Sequence, residues 1–437
     1  MTELKRKYDS IPVIELPVER FELACGAKLI VSKRAGAPIT AVEVHMRGGP
    51  SMDPAGLEGT AFLTGGLLDQ GTKQHDEQGI AELLEPAGGS IAGDASGLHA
   101  TIVSKEWKLL LSVLAELLVE PTFPKRQVER QKDRLLHRLA VEREDPRVQG
   151  ALGLRRLVYG NHWLGRPAYG SYESVAKIEP KHLRAQHKRN WVGSRCLIAV
   201  SGDVDPLAVK RFLDRALADW NPGRPLRPTP PELPPRAVRT ALFKAERQQV
   251  HVHLGHLGIR RADPDYAALV VMDHVLGMGP GFTNRLSRIL RDEQGLAYTV
   301  SASISSSAGL MPGVFNAYIG CAPEKVETAV AGFLTEMRRL QTELVPEEEL
   351  EVARNYLLGS FPREFERASR RAGYLVTAEV FGLSEDDLRQ LPRAFAAVTP
   401  QELQRVAREH LHPDACCLSV SGPMKPGEVK KLLGRAR

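Results

Sequence analysis

Two stretches, Cys196-Leu-Ile-Ala-Val-Ser-Gly202 and Cys416-Cys-Leu-Ser-Val-Ser-Gly422, stand 220 residues apart and decide how the chain is built. Each is a short apolar run closed by glycine, the pattern of a buried strand and its turn. At the same spacing, Ile178-Glu-Pro-Lys-His-Leu183 faces Val398-Thr-Pro-Gln-Glu-Leu403, and Pro206, Val209 and Lys210 face Pro426, Val429 and Lys430. Pro180 and Pro400 stand where a proline opens a helix. Each copy therefore reads helix, strand, turn, helix, and the chain reads as one unit used twice. Between the copies, Asn221–Pro235 carries seven prolines in fifteen residues, which can continue neither a helix nor a central strand. The expected organisation is an N-terminal domain over 1–220, an extended connector over 221–238 and a C-terminal domain over 239–437.

Within the halves, Ile39–His45 and Gln249–Leu254 alternate like half-buried strands. Gly79–Glu85 places Ile80, Leu83 and Leu84 on one helical face and stops before Gly88-Gly89. Long helices are expected at about 106–119 and 125–143. Strands and helices alternate without a regular βαβ rhythm. The expected class is α+β: two homologous domains, each an antiparallel sheet covered by helices.

Composition narrows function by exclusion. The 437 residues are 43% hydrophobic and 26% charged, with a mild net charge of +6 from 59 basic and 53 acidic side chains. No basic run carries interleaved aromatics, so nucleic acid is not an expected partner; Lys5-Arg6-Lys7 reads as a solvated tail. The five cysteines (Cys25, Cys196, Cys321, Cys416, Cys417) form no CxxC pair, which argues against a disulfide framework or a zinc knuckle. The N-terminus lacks an apolar signal core and no stretch reaches 18 apolar residues. A cytoplasmic protein without a membrane span is expected, or a periplasmic one if a signal peptide was trimmed. There is no Gly-x-Ser-x-Gly and no cysteine with a motif partner to serve as nucleophile. His251 and His253 would share one strand face, with His256 nearby. A metal pair is geometrically possible there, but no carboxylate at motif spacing completes it, and ordinary strand histidines are the plainer reading.

Residues 59–72, Gly-Thr-Ala-Phe-Leu-Thr-Gly-Gly-Leu-Leu-Asp-Gln-Gly-Thr, are similar to the active-site helix of the pitrilysin, or insulinase-like, metallopeptidases. In that family an inverted zinc motif, HxxEH, lies between an upstream Gly and a downstream Gly-Thr. Arg47-Gly-Gly-Pro-Ser51, Leu84-Glu-x-x-Gly-Gly89, Asp145-Pro146 and Gly165-Arg-Pro-x-x-Gly170 match the surroundings, as do Asp263-Pro-Asp-Tyr-x-Ala-Leu269 and Gly295-Leu-Ala-Tyr298 in the second half. The resemblance implies the duplicated α+β architecture over nearly the whole chain. It also places Phe62 at the first histidine, Gly65 at the glutamate, Gly66 at the second histidine and Arg138 at the third ligand. A catalytic zinc needs three N or O donors and a carboxylate base. None of these four residues supplies one, so neither zinc nor a catalytic residue is expected in this chain. The adjacent glycines read as close helix packing where the metal site was lost.

In the resembled family an arginine and a tyrosine of the C-terminal half hold the substrate backbone near the scissile bond. The matching residues are Arg285 and Tyr298; both can donate hydrogen bonds to a peptide carbonyl. Gly277, Gly279 and Gly281 lie in a glycine-rich segment similar to, but shorter than, the substrate loop of zinc-free processing subunits, and a simple turn is the alternative. The resemblance implies a non-catalytic, substrate-binding subunit of a heterodimeric zinc peptidase, with zinc in an HxxEH-bearing partner and an unstructured peptide as substrate. The competing expectation is a non-hydrolytic scaffold or peptide-binding protein, alone or as a homodimer.

Overall fold

The computed structural model describes residues 13–226, 232–279, 283–384 and 386–435. The first half builds a six-stranded sheet from β1 (Glu19–Glu22), β2 (Lys28–Lys33), β3 (Ile39–Met46), β4 (Ser90–Gly93), β5 (Gly97–Val103) and β6 (Cys196–Gly202), in the order β1-β2-β6-β3-β5-β4. The second half builds a five-stranded sheet from β7 (Arg239–Lys244), β8 (Val250–Leu257), β9 (Val300–Ser303), β10 (Val314–Cys321) and β11 (Cys417–Gly422), in the order β7-β11-β8-β10-β9. Position for position, β2 corresponds to β7, β6 to β11, β3 to β8, β5 to β10 and β4 to β9, so both halves share one topology and β1 is an added edge. The paired stretches Cys196–Gly202 and Cys417–Gly422 are the fully buried strands β6 and β11.

The sheets are mixed, not antiparallel as the sequence suggested. β2 runs parallel to β6, and β7 parallel to β11, while the other pairs are antiparallel. The cause is topological. The returning strand inserts between two antiparallel neighbours, and a strand so placed must run parallel to one of them.

Helices of the first half are α1 (Thr60–Gly65), α2 (Glu77–Leu84), α3 (Trp107–Val119), α4 (Lys125–Glu144), α5 (Pro146–Tyr159), α6 (Tyr172–Ala176), α7 (Pro180–Asn190) and α8 (Pro206–Ala216). Those of the second are α9 (Tyr266–Asp273), α10 (Val326–Thr342), α11 (Glu347–Ser360), α12 (Ala368–Phe381), α13 (Asp387–Ala397), α14 (Pro400–His410) and α15 (Pro426–Arg435). Proline opens α7, α8 and α14 at the first turn, where its missing N–H has no cost. In α3, Leu110, Leu111, Val113, Leu114, Leu117 and Leu118 are all buried; a helix apolar over so much of its surface lies between layers. It joins the strands of the first sheet in one core, and the second sheet has a core of its own.

Each sheet's other face is covered by a helix from the opposite half. α5 leaves the first half and lies on β7, β8 and β11; α12 leaves the second half and lies on β3 and β6. Leu154, Val158 and Tyr159 of α5 cluster with Val314 and Cys417, while Leu375 of α12 clusters with Ile30, Leu197 and Ala199. Small residues allow the approach. A Cβ at Gly153 would stand 2.3 Å from Ser419 Oγ, and Ala368 and Ala372 pack on Ala41. Among the described residues no helix is long and apolar enough to cross a membrane.

Candidate functional site: a closed metal position

Helix α1 is short and its start is strongly fixed. Its N-cap, Gly59, adopts φ +99°, and a Cβ there would lie 2.6 Å from the Tyr169 carbonyl oxygen, so glycine is required twice over. The Asp53 carboxylate accepts from the Gly59 and Ala61 amides at 2.8 and 2.7 Å, satisfying donors that a helix start leaves free. Burial pushes the Asp53 carboxyl up to about 6, against the lowering effect of those two amides.

The four positions matched to the zinc motif are filled with structure that excludes a metal. Gly65 is buried against the turn between β4 and β5; a Cβ there would stand 1.6 Å from the Asp94 carbonyl oxygen. The same approach seen from the other side leaves a Cβ at Gly93 only 2.1 Å from the Gly65 oxygen. Gly66 caps the helix, its amide bonding to the Phe62 carbonyl. Phe62 and Arg138 meet at one ring, that of Tyr169. Phe62 packs edge-on to it at 6.1 Å between centroids, and the Arg138 guanidinium lies over it at 4.5 Å. Glu142 ties the group together, accepting from Arg138 Nε and from the Tyr169 hydroxyl, each at 2.7 Å. Burial first, and then Glu142, push the Tyr169 hydroxyl up to about 12. These residues do not fit zinc. Gly65 and Gly66 offer no ligand atom, and Gly65 has no room for a side chain; Phe62 is aromatic, and Arg138 is a cation already paired.

Tyr169, Glu142 and Asp94 were not singled out from sequence. Tyr169 was one of the unspecified positions inside Gly165-Arg-Pro-x-x-Gly170, the only signal that could have found it. Beside the closed position, His99 of β5 bridges Asp94 through Nε2 at 3.1 Å and Glu43 of β3 through Nδ1. The hydrogen bonds to Asp94, then Glu43, push the imidazole up to about 10, so it is charged at neutral pH.

In the second half, Arg285 and Tyr298 have opposite environments. Arg285 is 3% exposed, and its guanidinium grips Glu349 with two bonds of 2.8 Å, with Glu336 at 3.8 Å. Tyr298 is 91% exposed and lies just before β9. Two stretches of wide π-helical turn, His274–Met278 and Ser287–Glu293, flank this region. Gly277 is buried with its Cα against β9, where a Cβ would stand 2.3 Å from the Ala302 nitrogen. Gly279 ends the first wide turn, and Gly281 lies outside the described residues.

His251, His253 and His256 have separate partners. His251 Nδ1 meets the Tyr318 hydroxyl at 3.0 Å, His253 Nδ1 meets Asn316 Oδ1 at 3.3 Å, and His256 Nδ1 meets the Leu257 carbonyl at 3.0 Å. Burial pushes His253 down to about 4 and His256 to about 3, which keeps both neutral. Among the described residues, Asp263, Asp265 and His410 come close enough together to hold a metal. There, however, Asp265 is already paired with the Arg405 guanidinium and hydrogen-bonded to His410 Nε2 at 2.8 Å.

Residues 29–168 match the family model described as insulinase, peptidase family M16, and residues 177–357 match the one described as the peptidase M16 inactive domain. The chain belongs to the insulinase-type M16 family, as a non-catalytic member in which the zinc motif has been replaced. It is 24% identical over 427 residues to an uncharacterised zinc protease of Streptomyces coelicolor, covering 95% of this chain and 92% of that protein. It is 27% identical over 339 residues to the non-peptidase homolog YmxG of Helicobacter pylori, covering 76% of this chain and 77% of that one. Its fold matches a crystal structure of a peptidase M16 inactive domain from Pseudomonas fluorescens, with TM-score 0.86, 24% identity and coverage of 94% and 99%. A chain of complex III2 from Candida albicans shares the fold at TM-score 0.76 and 14% identity, covering 96% and 100%.

Proposed function

We propose that this chain is the substrate-binding subunit of a two-chain zinc peptidase, in which an HxxEH-bearing partner supplies the metal and this chain supplies Tyr298. The observation that carries this reading is the contrast between the two halves. The metal position is closed by backbone and a ring stack, while a tyrosine matched to a substrate-holding residue stands 91% exposed. An aromatic side chain so exposed gains nothing for the fold. Its hydroxyl is free to donate to a peptide carbonyl and to the oxyanion that carbonyl becomes. Arg285 joins it only if its pairing with Glu349 and Glu336 opens when substrate or partner arrives. Both sheets end in four-residue strands, β4 and β9, and a peptide adding to such an edge is held by main-chain bonds with little sequence selectivity.

A second reading, a non-hydrolytic peptide-binding scaffold, is favoured by the buried pairing of Arg285. One experiment separates the two: zinc content and hydrolysis of an unstructured peptide, for the chain alone and mixed with an HxxEH-bearing relative. The subunit reading expects no activity alone, activity in the mixture, and a fall of about tenfold or more for Tyr298→Phe. Peptide binding without hydrolysis in either sample would establish the scaffold. Chelator-sensitive hydrolysis by the isolated chain would overturn both.

A further inference from the structure

A cleft of about 530 Å³ opens where the end of β2, the segment before β1 and the start of α12 converge. Three cations line it: Lys33 and Arg34, both exposed, and Arg371, which is 4% exposed. Arg371 is unusual for a buried arginine. Its Nε donates to Ser201 Oγ at 3.1 Å and its Nη1 to the Phe365 and Glu366 carbonyls at 2.8 Å, all neutral acceptors. Among the described residues it has no carboxylate partner, in contrast to buried Arg285 and Arg354, each of which has one. A charge kept from water without a counter-ion is costly, and burial together with the Arg34 charge lowers the pKa of this guanidinium.

Two acids also line the cleft. Glu15 is already paired with Arg389 at 3.1 Å, which leaves Glu366 against three cations. The remaining wall is apolar, including Leu16, Pro362 and Phe365. This arrangement does not follow from the repeat. At the corresponding place in the second half, Ser421 faces Gly150 in place of an arginine, and its hydroxyl has no partner.

We infer that this cleft is a binding site for an organic carboxylate with an apolar body, the carboxylate taken by Arg371 and Arg34 and the body by Phe365 and Leu16. A planar guanidinium presents paired donors that match a carboxylate, and the volume lies in the range of small-ligand sites. The site is remote in kind from the peptidase reading and does not depend on it.

The test is calorimetric titration of the full chain with N-acetyl-L-phenylalanine, its neutral amide and phenyl phosphate. The acid should bind saturably, and the amide about tenfold or more weakly. Arg34→Gln and Lys33→Gln, both surface changes, should each weaken the acid several-fold without changing the unfolding temperature. They keep the test valid should Arg371→Gln fail to fold. Equal binding of acid and amide, no saturable binding of the acid at millimolar concentration, or an unchanged affinity in the Arg34→Gln, Lys33→Gln double variant would overturn the inference. Phenyl phosphate binding tighter than the acid would overturn the assignment to a carboxylate.

Discussion

Replacing Gly65 by alanine adds one methyl group, and the structure says where it would go. The new Cβ would stand 1.6 Å from the Asp94 carbonyl oxygen and 2.6 Å from its carbon. Ordinary contact lies near 3.5 Å, so α1 and the β4–β5 turn must part by roughly 2 Å. Neither side yields easily, because both are backbone. Asp94 is held by its amide to the Gly97 oxygen at 3.0 Å, and its carboxylate accepts from Ser96, Gly97 and His99. Overpacking at the upper end of its usual range costs about 3 kcal/mol, a strained turn bond adds about 1, and the better helix propensity of alanine returns about 1. The net loss is about 3 kcal/mol, which for a cooperative unit of about 200 residues lowers Tm by roughly 6–12 °C. Gly66→Ala is the control. Its φ of −70° is helical and its nearest neighbours are the Phe62 and Gly93 oxygens at 3.2 and 3.7 Å, so a change within about 1 kcal/mol is expected. Thermal unfolding of the two variants, followed by circular dichroism, makes the comparison. A Gly65→Ala protein melting with the parent, or a Gly66→Ala protein falling as far, would refute the account of how the metal position is closed.

Arg285→Ala should lower the urea midpoint by the equivalent of about 3 kcal/mol, because Glu336, 2% exposed, and Glu349 lose a buried counter-ion. Tyr298→Phe should leave that midpoint unchanged, so any loss of assisted hydrolysis in it reads on substrate handling alone. His99 is raised from 6.5 to about 10 on folding. The stability it contributes is therefore complete below pH 6.5 and lost as pH rises from there to about 10. Urea midpoints across that window should decline in the parent and flatten in His99→Gln; parallel profiles would dismiss the His99–Glu43–Asp94 bridge.

The duplication and helix ends were legible because their signals are local. A fixed offset of 220 exposes the repeat, and Pro180 and Pro400 mark helix starts; the helices expected from their apolar pattern at 106–119 and 125–143 appear at Trp107–Val119 and Lys125–Glu144. The parallel pairs β2/β6 and β7/β11 were not legible, because alternation fixes which side chains point inward and says nothing about which strand lies alongside. The exchange of α5 and α12 escaped for a similar reason: an apolar stripe shows that a helix is covered, and not by which sheet. At the site, Gly65 could be read as a packing glycine, since only close approach justifies glycine inside a helix. The Tyr169 stack could not be read, because ring and cation come from separate elements with no spacing rule. Nor could the burial of Arg285, whose counter-ions Glu336 and Glu349 are supplied by α10 and α11.

The exchanged helices set a timetable for biosynthesis. The first sheet has all its strands once Gly202 has been made, yet Arg371, which bonds to Ser201, comes 170 residues later. At about 5–20 residues per second, a ribosome needs roughly ten to thirty seconds for that stretch. Throughout it, the face carrying Ile30, Leu197 and Ala199 has no covering helix. Helix α5 emerges early in turn, before any strand of the sheet it will cover. The nascent chain thus carries two unmatched apolar surfaces for much of its synthesis, and it is during those seconds, not in the finished fold, that it most needs protection from aggregation.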